Sequence, residues 1–101
     1  MTGTLAIRDQ DLAIVRDILA REAASAKVWV FGSRAKGTTK RGADLDLAFD
    51  AGRPLTGAET LALETAFEDS DLPYSVDVVD LATVGEAFRA IIEGDRVALH
   101  P

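Results

Sequence analysis

The sequence predicts a small α/β domain: a mixed β-sheet with its helices on one face. Two observations lead there. Segments with apolar residues at helical spacing and short β-branched or alternating runs follow one another as helix, strand, loop, strand, helix, strand, helix. The chain has 101 residues, 48% hydrophobic and 28% charged, which suits one globular unit, so residues 1–101 are expected to form a single domain.

From Asp9 to Ala24, the residues Leu12, Val15, Ile18, Leu19 and Ala23 recur at helical spacing, while Arg16, Asp17, Arg21 and Glu22 turn to water. The run Lys27 to Phe31 is β-branched and aromatic and stops at Gly32, which predicts a first strand, with Trp29 open between core and partner interface and core favoured. Strict alternation from Ala43 to Phe49 predicts a second strand, with Leu45, Leu47 and Phe49 on one face and Asp44, Asp46 and Ala48 on the other. After a loop containing Gly52 and Pro54, Thr56 and Glu59 form a capping-box pair for a helix to about Asp69, with Leu63, Ala66 and Phe67 inward. Pro73 blocks continuation, and Tyr74 to Val79 reads as a third strand with Val76 and Val78 inward and Asp77 outward. Asp80, on the opposite side from Asp77, reads as a strand-end or helix-start residue.

A second capping-box pair, Thr83 with Glu86, predicts a last helix that Gly94 ends. Its stripe of Val84, Ala87, Phe88, Ile91 and Ile92 is most simply core, and any exposed part suits a partner helix. The tail from Val97, with His100 in it, reads as frayed.

A formal net charge of −6 argues against general affinity for nucleic acid. That average hides a local reversal: between Gly32 and Ala43 stand Arg34, Lys36, Lys40 and Arg41 with no acidic residue, and Asp44 and Asp46 follow. No apolar run approaches the roughly 18–20 residues of a bilayer span, and residues 1–21 lack a signal-peptide core, so a cytoplasmic protein without a membrane partner is expected. With no cysteine, a metal would have to sit on oxygen or on His100, and oxygen ligands favour hard cations such as Mg²⁺.

Asp44 and Asp46 project from one strand face at alternate positions, close enough to share a divalent cation, and Asp77 on a neighbouring strand is the candidate third carboxylate. Three close carboxylates repel unless cations neutralise them, which predicts bound Mg²⁺ or Mn²⁺. At the end of the first strand, Gly32 permits close backbone approach, and Ser33 with free N–H groups can cradle phosphate oxygens. A short helix at Arg34 to Lys36 would add the positive end of its dipole. Each half is common alone, since a Gly-Ser turn or a strand with a wet acidic face needs no ligand. Jointly they describe a nucleoside triphosphate site.

Gly32-Ser33, ten residues, then Asp44-Leu45-Asp46 resembles the Gly-Ser-x10-Asp-x-Asp signature of the DNA polymerase β-type nucleotidyltransferase superfamily. The longer run GSRAKGTTKRGADLDLAF resembles its minimal nucleotidyltransferase branch, and Val76 to Leu81 is similar to the branch's third-aspartate strand. The resemblance implies a polymerase β-like fold and Mg²⁺-dependent chemistry. In it Asp44, Asp46 and Asp77 are catalytic metal ligands, Gly32 and Ser33 hold the β- and γ-phosphates, and Arg34 and Lys36 neutralise the triphosphate. Lys40 and Arg41 stay open between an acidic partner surface and water.

Members of this branch are commonly paired with a HEPN-type helical protein, often an RNase toxin, in toxin–antitoxin modules. The resemblance therefore implies an antitoxin that transfers AMP from ATP to a hydroxyl, expected to be a tyrosine, of a HEPN toxin. The alternative is an antitoxin that neutralises the toxin by binding and occlusion. Two departures from the family pattern stand out. Ala43 occupies the place of a usual serine, removing a hydroxyl contact to phosphate or backbone, and the helical domain that binds the acceptor in larger members has no counterpart before Pro101, so a separate partner is expected to present the acceptor.

Overall fold

Residues 6–37 and 43–100 are described by a computed structural model. In chain order the elements are α1 (Asp9–Glu22), β1 (Lys27–Phe31), α2 (Ser33–Lys36), β2 (Leu45–Asp50), α3 (Gly57–Glu68), β3 (Val76–Asp80), α4 (Glu86–Asp95) and β4 (Val97–His100). The four strands form one mixed sheet in the order β3-β2-β1-β4. β1 runs antiparallel to both β2 and β4, whereas β2 and β3 are parallel.

The alternation read in the sequence decides which face is dry. Leu45, Leu47 and Phe49 of β2 and Val28 and Val30 of β1 are fully buried, and α1 and α3 close over them with Val15, Ile18, Leu19, Leu63 and Phe67. α3 begins as its capping box requires: Glu59 N donates to Thr56 Oγ1 at 3.0 Å and Thr56 N donates to Glu59 Oε1 at 2.8 Å. Two Arg53 contacts of 2.7 Å to the same carboxylate, reinforced by the Thr56 N–H, hold Glu59 down to a pKa of about 2.

The small mixed sheet with its helices over one face is as expected for α1 and α3, but α4 sits elsewhere. Its Ile92 is buried with Phe31, Ala48 and Leu81, and half-buried Trp29 and Val79 pack on this second cluster, so α4 covers part of the opposite face. Trp29 thus lies under α4, beneath the Arg96 guanidinium at 4.4 Å, and not in the main core.

The second capping box is absent. Asp80 organises a turn instead: its carboxylate accepts from Leu55 N at 2.8 Å and Ala82 N at 2.9 Å, and its carbonyl accepts from the Thr83 hydroxyl at 3.2 Å. With Thr83 committed to that turn, α4 starts at Glu86 behind Gly85, with no side-chain cap. Gly94 does not stop the helix, which runs one residue further to Asp95. The third strand starts at Val76 instead of Tyr74. The tail is not frayed: β4 pairs with β1, and His100 Nε2 lies 3.3 Å from the Ala24 carbonyl, a structural contact.

Candidate active site

The register places the acidic residues. Asp46 of β2 pairs with Asp77 of β3 on one side and with Phe31 of β1 on the other. As register partners at the start of two parallel strands and beside the end of β1, the two carboxyl groups meet at one end of the sheet, on the face opposite α1 and α3. Asp46 is half-buried while Asp77 and Asp44 are exposed. Burial above all, then a hydrogen bond with Asp77, its charge and the charge of Asp44 push the Asp46 carboxyl up to about 6. The structure therefore brings Asp46 and Asp77 together as cross-strand neighbours and leaves Asp44 nearby, just ahead of β2. Among the described residues no three acidic or histidine side chains converge tightly enough to close a metal site as they stand.

The Gly-Ser turn lies against this pair. Gly32 has φ +75° and ψ −156°, a backbone conformation that side chains oppose. A Cβ there would overlap Asp46 Oδ2 and come within 3.4 Å of Asp46 Cγ. Glycine is thus required twice, by dihedral angle and by the carboxylate that fills the space. Ser33 opens α2, a single turn that Gly37 ends in the left-handed region at φ +72°.

Of the basic residues, Lys36 leans toward α4, its Nζ 3.3 Å from Asp95 Oδ2. Arg34 does something the sequence did not suggest. It is buried, with Nε and Nη2 donating to the Ala43 carbonyl at 3.0 and 2.5 Å and Nη1 to the Ala6 carbonyl at 2.7 Å. The Tyr74 ring lies 3.8 Å beneath the guanidinium, and Tyr74 Oη bonds buried Asp11 at 3.2 Å. Arg34 ties α2 to the residue before Asp44, and no local pattern announces contacts that distant in sequence. Lys40 and Arg41 lie outside the described residues.

The remaining neighbour is aromatic. The Phe88 ring of α4 stands edge-on to Phe31, centroids 5.9 Å apart, next to the strand position of Asp46. An apolar groove of about 950 Å³ between α1 and α3, walled by Ile14, Ala58, Leu61 and Ala62, lies behind the sheet, away from the acidic pair.

Asp44, Asp46 and Asp77 fit a hard divalent cation by chemistry: all offer oxygen, and the charges of Asp77 and Asp44 beside the half-buried Asp46 carboxyl are ones a cation would relieve.

The chain is similar to known proteins. The sequence profile of the family described as polymerase beta, nucleotidyltransferase, matches residues 13–99. A protein of Haemophilus influenzae named probable protein adenylyltransferase MntA is 47% identical over 96 residues, covering 95% of this chain and 84% of that protein. A crystal structure of a toxin–antitoxin with AMP-PNP superposes with a TM-score of 0.75 at 23% identity, covering 88% of this chain and 72% of that one. A mutant of the toxin–antitoxin MntA-HpeT gives 0.73 at 21%, covering 87% and 71%. At such identities the two structures speak to the fold.

Proposed function

Since the chain belongs to the polymerase beta nucleotidyltransferase family and is a nucleotidyltransferase, we propose that it is an antitoxin that transfers AMP from ATP to a hydroxyl, a tyrosine, of a HEPN-type toxin, releasing pyrophosphate. The observation that carries this reading is the contact between the Gly32 turn and Asp46, which sets a backbone turn suited to phosphate against a carboxylate pair. The 47% identity to a protein named as a protein adenylyltransferase supports the choice of acceptor class.

In this mechanism Gly32 and Ser33 receive the β- and γ-phosphates, and Lys36 neutralises them after leaving Asp95. Its present ion pair is half-exposed and worth only about 0–1 kcal/mol, so a triphosphate can displace it. Mg²⁺ held by Asp44, Asp46 and Asp77 would supply the charge neutralisation that lets phosphates sit beside carboxylates. The acceptor oxygen bonds to the α-phosphorus in line, the bond to the bridging oxygen breaks, and pyrophosphate leaves with that electron pair. The hydroxyl proton passes to Asp77, the more exposed carboxylate of the pair. Arg34 keeps the Ala43–Asp44 segment in place.

Neutralisation by occlusion is the second reading, favoured by one observation: no three carboxylates converge among the described residues. Co-expressing the product of the adjacent gene with wild-type or Asp46→Asn protein separates the two. Catalysis predicts that the variant no longer protects the cells; protection undiminished by the substitution rules it out.

A further inference from the structure

Resting on the transfer reading above, we infer that the flank of α4 carrying Phe88 and Ile91 is the docking surface for the protein acceptor, whose matching face is an apolar patch with a basic fringe.

α4 is amphipathic in sequence, yet of its apolar stripe only Ile92 is buried; Phe88 is 42% and Ile91 61% exposed. Two contacts fix which way that stripe faces. Phe88 touches Phe31, the strand neighbour of Asp46, and Asp95 reaches Lys36 of α2, the helix behind the Gly-Ser turn. Positions 88, 91 and 95 are spaced i, i+3, i+7 and share one side of a helix. Ile91 therefore stands on the side of α4 nearest the turn and the acidic pair. Arg89 and Arg96 mark the other side, bound to the Leu81 carbonyl and stacked on Trp29.

An acceptor hydroxyl that meets Asp77 must approach over this open face, because α1 and α3 fill the other. Whatever brings it there rests on the rim, where Phe88 and Ile91 are the exposed apolar groups. The fringe is acidic, with Asp44 and Asp77 exposed on a chain of net charge −6, so the matching surface carries lysine or arginine around an apolar centre. A second copy of this chain would bring the same negative charge to the contact and is disfavoured.

The test compares wild-type protein with Ile91→Asp and Ile91→Leu, using the adjacent gene's product as acceptor. Transfer kinetics are measured against both substrates with Mg²⁺, and the affinity for the acceptor is measured by calorimetry without nucleotide. Ile91→Asp is expected to raise the acceptor KM and Kd about tenfold or more, leave the KM for ATP within about twofold, and be rescued by Ile91→Leu. An unchanged acceptor Kd overturns the inference. So does a rise confined to the KM for ATP, which would give the stripe to the nucleotide, or a change in the oligomeric state of the chain alone, which would give it to self-association. If wild-type protein transfers nothing yet binds the acceptor, and Ile91→Asp weakens that complex, the docking surface stands and the transfer reading fails.

Discussion

Replacing Gly32 by alanine tests the link between the turn and the acidic pair. The methyl group meets two obstacles. A side chain at φ +75° and ψ −156° is strained by about 1–3 kcal/mol, and the new Cβ would overlap Asp46 Oδ2. The carboxylate is the free end of a side chain and can rotate away, so the overlap costs little stability, but the rotation takes Asp46 from its place beside Asp77. A displacement near 1 Å at a reacting group costs roughly 100-fold in rate. Gly52→Ala is the matched control, because Gly52 has φ +77° and nothing within 4 Å of its Cβ position. Both variants should melt lower by similar amounts, on the order of 4–8 °C for each kcal/mol. Only Gly32→Ala should lose about 100-fold in kcat. If Gly32→Ala keeps activity within twofold of Gly52→Ala, the turn does not position the carboxylate.

The Asp46 carboxyl, raised to about 6, binds its proton more tightly folded than unfolded, so it stabilises the fold fully below about pH 4 and loses that contribution as pH rises through 6. After allowance for solvent screening this is worth roughly 1–2 kcal/mol. Melting curves should therefore show wild-type protein gaining stability from pH 7.5 to 5.0, Asp46→Asn lacking that gain, and Mg²⁺ stabilising wild type more at pH 7.5 than at 5.0. Arg34→Ala removes a buried guanidinium from the Ala43 and Ala6 carbonyls and should cost about 2–4 kcal/mol in urea unfolding; a loss under 1 kcal/mol would contradict its structural role. Thr56→Ala should cost about 1 kcal/mol as a lost cap, whereas Thr83→Ala, which caps no helix, should stay within about 0.5 kcal/mol; equal losses would refute the assignment of caps.

Much of this molecule is legible in its sequence because its signals are local. Strict alternation in β2 names the dry face, and the same alternation puts Asp46 opposite it. The capping box at Thr56 is read correctly because both partners lie within one turn, while Thr83 offers the same pattern and is taken by Asp80 in a turn that only the assembled sheet end creates. Arg34 shows the same limit. Beside Lys36 in a basic loop it reads as a phosphate ligand, but its partners Ala43, Ala6 and Tyr74 come from three distant segments. The position of α4 was illegible for a related reason: its stripe announces an apolar face without saying which side of the sheet receives it. The spacing of Phe88, Ile91 and Asp95 holds the clue, readable once Phe31 and Lys36 are known as neighbours.

Catalysis of nucleotidyl transfer to a protein by the Asp46–Asp77 pair beside the Gly32 turn can be read directly. The most direct measurement is the intact mass of the adjacent gene's product after incubation with this protein, ATP and Mg²⁺, beside Asp46→Asn and Asp77→Asn controls. A gain of one or more AMP residues on a tyrosine is expected, absent with either control. An unmodified partner that is nonetheless bound and silenced would contradict it.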